Sequence, residues 1–307
     1  MLILLLCLFT IVILAGSYYA YRIAFYSPLK DRDRVVKPKD PQYDPYREEM
    51  RRIYHQLNNR PCEFVSIRSR DGLTLSGRYY HIKDGAPLDI GFHGYRSHPI
   101  TDFSGGTELS FQMEHNVLLI DERAHGRSEG YTISFGIQER LDLLEWVNYA
   151  VRRFGSDVPI LLYGVSMGGA TVLMASDLDL PQNVKGIIAD CPYAKPLDII
   201  LYVGERTSFP NWLIKPFAIL AARIYGNFDL QETDALNAVK NAKVPILIIH
   251  GEEDRYVPCW MSEPVAQANP EKVQRFTFPG AAHGISYLVD TPRYHQIVKV
   301  FVHKVIN

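Results

Sequence analysis

The sequence predicts one α/β domain: a mostly parallel sheet with helices on both faces, preceded by a hydrophobic helix. Three observations carry this. Eight short apolar or alternating runs recur from residue 64 onward. Longer amphipathic stretches separate most of them, as crossover helices separate parallel strands. Residues 2–20 hold no charged side chain at all. A length of 307 residues fits one large domain of this kind.

The first two runs, Phe64–Arg68 and Leu73–Tyr80, alternate with a period of two around Asp71-Gly72, which predicts an antiparallel hairpin. Leu88–Phe92, Val117–Ile120, Ile160–Tyr163, Gly186–Ala189 and Pro245–Ile249 are short and continuously apolar, as strands buried on both faces are. Val273–Phe278 is more mixed and belongs near an edge. Ile137, Leu141, Leu144, Val147 and Val151 recur at helical spacing and predict an amphipathic helix with that stripe inward. Residues 195–239 break the rhythm. They are aromatic-rich and helical, above all over Trp212–Tyr225, which predicts a lid inserted above the strand ends.

Residues 1–26 read as a transmembrane anchor. Leu2–Ala20 reaches about 28 Å as a helix, close to the hydrocarbon thickness of a bilayer. Tyr18, Tyr19, Tyr21, Phe25 and Tyr26 follow where an interfacial aromatic belt would sit. The rivals are a cleaved signal peptide, which would carry Lys or Arg before the apolar core, and a buried or interfacial helix. Residues 27–59, with Pro28, Pro38, Pro41 and Pro45 near their start, read as a linker, and 60–307 as the domain. Arg22, Lys30, Arg32, Arg34, Lys37 and Lys39 flank the apolar segment and favour a cytoplasmic domain. Cys7, Cys62, Cys191 and Cys259 are widely spaced without a C-x-x-C, which speaks against a disulfide framework or a cysteine-rich zinc site. A net charge of −1 gives no basic surplus for a nucleic-acid partner.

The chemistry begins at Gly164-Val165-Ser166-Met167-Gly168. The apolar strand before it and the small residues after it predict a sharp strand-to-helix turn that lifts the Ser166 hydroxyl into the open. A serine hydroxyl needs a base to take its proton. His283, in a loop of small residues after the last strand, is the candidate, ahead of His93, His125 and His250. The first and last of these end strands, and His125 lies in a loop that braces the site. The imidazole needs a carboxylate. Asp254 follows the penultimate strand and Asp190 ends the strand before it; both are open, with chain order Ser-Asp-His favouring Asp254. Glu252 and Glu253 read as solvated. The backbone N–H groups of Met167 and Tyr95 are the candidate oxyanion donors. No H-x-x-x-H or H-E-x-x-H spacing marks a metal enzyme, and the triad needs no cofactor.

Residues 63–305 resemble the α/β-hydrolase superfamily, in particular its serine aminopeptidase-like (S33-type) branch and small bacterial membrane-anchored hydrolases. The resemblance rests on His93-Gly94-Tyr95, Asp121-x-Arg123-x-His125-Gly126-x-Ser128, Gly164-x-Ser166-x-Gly168-Gly169, His250-Gly251-x-x-Asp254-x-x-Val257-Pro258 and His283-Gly284. It implies the α/β-hydrolase fold and a Ser166–His283–Asp254 triad. Ala124 stands where the family often has glycine, a local departure in that turn. The expected reaction is hydrolysis of an ester or related acyl bond in a small or lipid-like acyl substrate. Peptidase and acyltransferase activity on the same triad remain as alternatives, and a non-catalytic binding protein is a more distant one. Phe209, Trp212, Leu213, Phe217 and Tyr225 either form an apolar acyl pocket or only pack the lid down.

Overall fold

The computed structural model describes residues 1–28, 40–207 and 209–306. Among these residues eight strands form one sheet: β1 (Glu63–Arg68), β2 (Thr74–Tyr80), β3 (Leu88–Phe92), β4 (Asn116–Asp121), β5 (Ile160–Val165), β6 (Val184–Asp190), β7 (Ile246–Gly251) and β8 (Val273–Phe278). Their order is β1-β2-β4-β3-β5-β6-β7-β8. β2 pairs antiparallel with β1 and β4, and every other pair is parallel. Each predicted run lies within or against one of these strands. The mixed run is the edge strand β8, and Gly72 makes the hairpin turn at a φ of 88°.

Among the described residues there are twelve α-helices: α1 (Leu2–Ala24), α2 (Arg47–Asn58), α3 (Pro99–Phe103), α4 (Gly106–Gln112), α5 (Glu139–Phe154), α6 (Met167–Met174), α7 (Pro196–Gly204), α8 (Asn211–Ile224), α9 (Ala235–Lys240), α10 (Glu263–Ala268), α11 (Ser286–Val289) and α12 (Thr291–Ile306). Strand periodicity divides the core in two. Ile90, Leu118, Leu162, Ile187 and Ile248 meet Trp146 of α5, Ala170 of α6 and Val239 of α9. On the opposite face Leu161, Ile188, Leu247 and Ile249 meet Tyr294, Val298 and Phe301 of α12. Val117 and Leu119 meet Leu57 of α2 and Ile100 and Phe103 of α3.

Four expectations need correction. The inward stripe of α5 is Asp142, Leu143, Trp146, Val147 and Ala150, while Leu141, Leu144 and Val151 are half-exposed. The helix is rotated because the buried Asp142 carboxylate holds the Arg123 guanidinium at 2.6 Å, a pairing that apolar periodicity does not register. The linker ends early: residues 41–46 form a 3₁₀ turn and α2 follows, burying Tyr43, Ile53 and Leu57. Residues 29–39, with Lys30, Arg32, Arg34, Lys37, Pro38 and Lys39, lie outside the described residues. The cover over the strand ends consists of α7 and α8. The last helix of the predicted insertion, α9, is instead a buried helix capped by Asp234 and packed on the sheet side. Lastly, α1 is not a free anchor, because its C-terminal part is built into the domain. Ser17, Tyr21 and Phe25 are buried, and Phe25 sits in the core against Phe135 and Phe228.

Candidate active site

Strand order fixes where a site forms. The chain leaves β3 toward β4 on one side and reaches β5 on the other. The loops after β3 and β5 therefore diverge and leave a crevice at the carboxyl ends of the strands. Ser166 lies at this point, between β5 and α6, with φ 57° and ψ −114°. That backbone conformation is costly for a residue with a Cβ and persists only where its surroundings impose it. The flanking glycines are imposed by contact. A Cβ on Gly164 would lie 2.1 Å from the Gly168 carbonyl oxygen, and one on Gly168 would lie 1.8 Å from that of Phe92. The Ser166 N–H donates to Asp190 O at 2.8 Å, which pins the turn to β6.

Met167 is the first residue of α6, so its N–H is among those a helix start leaves without an intrahelical acceptor. The loop after β3 lies directly against the serine: a Cβ on Gly94 would come within 3.2 Å of the Ser166 Cβ. This places Tyr95, the other candidate donor, beside the turn. Two histidines brace that loop. His93 Nε2 accepts from the Glu122 N–H at 3.2 Å and its Nδ1 meets Gly94 O at 2.8 Å. His125 Nε2 accepts from the Arg96 N–H at 2.9 Å and its Nδ1 meets Arg123 O at 2.9 Å. Burial holds the His93 pKa below its ordinary value, against the nearby Asp102 charge, which keeps the ring a neutral strut. Ala124, where the resemblance would put glycine, adopts a φ of 61°, so the turn keeps the left-handed conformation and carries its strain.

His283 Nδ1 lies 2.6 Å from Asp254 Oδ2. Asp254 Oδ1 accepts the N–H groups of Tyr256 and Val257 at 2.8 and 2.9 Å, so the carboxylate is held from both sides. Burial would raise the Asp254 pKa, but the His283 charge and hydrogen bonds from His250 and His283 pull it well below the usual carboxylate range. Burial likewise lowers the His283 pKa, and the Asp254 charge and hydrogen bond more than offset this, leaving it above the ordinary value. His250 supports Asp254 from behind, with Nε2 at 3.4 Å from Asp254 Oδ2, while its closer contacts are Nδ1 at 2.8 Å from Ser262 Oγ and Nε2 at 2.9 Å from Val257 O. Asp190 is buried beneath the site. Its pKa is pushed up to about 7, chiefly by desolvation, and the Tyr294 hydroxyl donates to it at 3.3 Å. Among the described residues, the His283 ring bonds Asp254 and not Asp190. Glu252 and Glu253 are exposed, as expected.

Ser166 and His283 face one cavity of about 650 Å³ whose lining includes apolar side chains of α7 and α8, Leu213 and Phe217 among them, and Phe209 from the segment between the two helices. Trp212 is 77 % exposed, and neither it nor Tyr225 lines this cavity. Three neighbours escaped sequence reasoning. Tyr43, from the supposed linker, donates its hydroxyl to His283 O at 3.1 Å. The Tyr256 ring lies 5.7 Å from that of His283, and Cys191 Sγ lies 4.0 Å from His283 Nε2. Only Tyr256 carried a usable signal, two residues after Asp254.

Comparison with known proteins agrees with this architecture. Residues 105–213 match the family model for the alpha/beta hydrolase fold, a region that contains Ser166 and ends before Asp254 and His283. The chain is 25% identical over 296 residues to the uncharacterized protein YqkD of Bacillus subtilis (strain 168), covering 96% of this chain and 94% of that one. It is 24% identical over 260 residues to the bifunctional esterase/perhydrolase DCH of Acinetobacter calcoaceticus, covering 71% and 92%. The structure is similar to that of the Pyrococcus furiosus esterase Pf2001, with a TM-score of 0.69, 21% identity and coverage of 92% and 99%. Sheet order, the strained turn at Ser166 and the matched region agree: this chain has the α/β-hydrolase fold.

Proposed function

We propose that the protein is a serine hydrolase of carboxylic esters or related acyl bonds, with Ser166 as nucleophile, His283 as base and Asp254 as its partner. The observation that carries this reading is the Asp254–His283 pair at 2.6 Å opening on the same apolar cavity as a serine held at positive φ. As the Ser166 Oγ attacks the acyl carbonyl carbon, its proton passes to His283 Nε2. The negative oxygen of the tetrahedral species is received by the N–H groups of Met167 and Tyr95. Collapse breaks the bond to the leaving group, which takes the proton from His283 and departs, leaving an acyl-serine. Water then attacks that ester, gives its proton to His283 Nε2, and the carboxylic acid leaves as the proton returns to Ser166 Oγ. Asp254 holds the Nδ1–H tautomer and balances the imidazolium throughout. The esterase and esterase/perhydrolase relatives support an acyl substrate for this chain.

The same reading puts the exposed part of α1 in a membrane. α1 as a whole is a 23-residue helix of mean hydropathy 2.4 over its most apolar window. The domain then lies on the cytoplasmic face, in keeping with its free thiols. A fluorophosphonate probe tests the chemistry. The expected adduct is on Ser166, absent in Ser166→Ala and at least about 10³-fold slower to form in His283→Ala. An adduct on another residue, or equal labelling of all three proteins, refutes the assignment.

A further inference from the structure

We infer that α1 is a wall of the acyl site, so that the helix carrying the apolar N-terminal segment also sets which acyl chain the site accepts. This rests on the serine hydrolase reading and adds to it a substrate class, esters of extended acyl chains, and the element that measures them.

Three observations lead here. First, Gly16, Tyr19, Ala20, Ile23 and Ala24 all line the cavity that holds Ser166 and His283. They recur at spacings of three and four, which places them along one side of the helix. Second, that side is fitted to the cover. A Cβ on Gly16 would stand 2.5 Å from the Phe217 ring of α8, so only glycine allows this approach. The Tyr225 hydroxyl donates to Leu14 O at 3.0 Å, and its ring packs edge-on against Tyr18. Third, the C-terminal carbonyls of α1, which the helix itself leaves unbonded, are taken up by the loop that carries the candidate oxyanion donor. The Tyr95 hydroxyl donates to Ala24 O at 2.8 Å. Arg96 Nη2 donates to Ile23 O and Tyr26 O at 2.8 and 2.9 Å. A simple anchor needs none of these contacts. A wall needs all three, because it must be close to the cover, fixed in register and tied to the serine side of the cavity.

The cavity is bounded on one side by α1 and on the other by α7 and α8, so its width depends on the α1 side chains. A space of this volume and apolar character takes a flexible hydrocarbon chain and offers little to a peptide or a polar acyl group. Ala20 is the informative position: it is small, half-buried and on the lining side. Ile23 is the converse, a large side chain that can be cut back.

The test uses full-length protein in lipid nanodiscs and a nitrophenyl ester series from acetate to hexadecanoate. Longer esters are presented both in the nanodisc lipid and on cyclodextrin, which separates a membrane-borne acyl donor from a dissolved one. Ala20→Leu and Ala20→Trp are expected to move the longest accepted chain progressively down, with the dodecanoate-to-acetate ratio of kcat/KM falling at least tenfold in the tryptophan variant. Ile23→Ala is expected to move it up. Leu5→Trp, on the exposed part of α1, is expected to leave the ratio within twofold of wild type. An unchanged chain-length profile in folded, phosphonate-labelled Ala20→Leu and Ile23→Ala overturns the inference while leaving the serine hydrolase intact. Failure of the wild-type protein to label at all overturns the hydrolase reading, and this inference with it.

Discussion

Asp254 and Asp190 stand near one histidine in opposite electrostatic states. Asp254 is charged and fully hydrogen-bonded, whereas Asp190 is desolvated with a pKa raised to about 7. Asp254→Asn is expected to cut kcat by roughly 10³–10⁴-fold, since it removes the group that holds the imidazole tautomer. Asp190→Asn is expected to cost far less, and steady-state kinetics of the two purified variants checks the ranking. The pH profile follows from sign. On the proposed mechanism His283 is neutral when it accepts the serine proton, and its pKa lies above the ordinary value. The acid limb of kcat/KM is therefore expected above pH ~6.5, with activity falling as pH drops through it. In Asp254→Asn burial acts without the opposing charge, so the limb moves to lower pH. Gly168→Ala tests the turn itself. Its methyl meets backbone at 1.8 Å, and the expected loss is about 3 kcal/mol or more by chemical denaturation. At this scale the glycine spacing around Ser166 was legible, because the close contacts of the turn demand it, and the pairing of Asp254 with His283 matches the chain order that favoured it. Tyr43 was not, because its neighbours Pro41 and Pro45 look like linker residues; both belong to a 3₁₀ turn.

Among the elements, strands were easier to read than helices. A buried parallel strand needs a short apolar run and little else, so all eight could be found. The α5 stripe was misplaced by about one residue because a buried Asp142–Arg123 pair counts as polar in any periodicity. α1 was read as a membrane anchor with an aromatic belt, since residues that suit lipid also suit a protein core. The reading of residues 1–26 as an anchor separate from the domain does not survive the burial of Phe25. Deleting residues 2–14 is expected to leave folding and turnover of soluble esters close to wild type. Deleting 2–26 is expected to remove cooperative unfolding or lower stability by about 3–5 kcal/mol, the range for losing one buried aromatic ring. Thermal melts of the two truncations decide this. A stable, active 2–26 deletion would show that the packing of α1 is incidental.

For the whole molecule, the part of α1 that extends beyond the domain is the open matter. Residues 2–15 reach about 21 Å, against a hydrocarbon core of about 30 Å. An α1 that crosses a membrane therefore draws the domain down into the interface. Alkaline carbonate extraction checks the consequence: full-length protein is expected in the pellet and the 2–14 deletion in the supernatant.

The docking of Phe25 also orders events during synthesis. Its ring packs on Phe135 and Phe228, so one partner is made about 110 residues later and the other about 200. At translation rates of roughly 5–20 residues per second, some 10–40 s pass before Phe228 leaves the ribosome. Through that interval the first helix is complete but its protein socket does not exist. On the proposed membrane anchoring, capture of this helix by the bilayer precedes closure of the domain, and the fold is finished around a helix already in place.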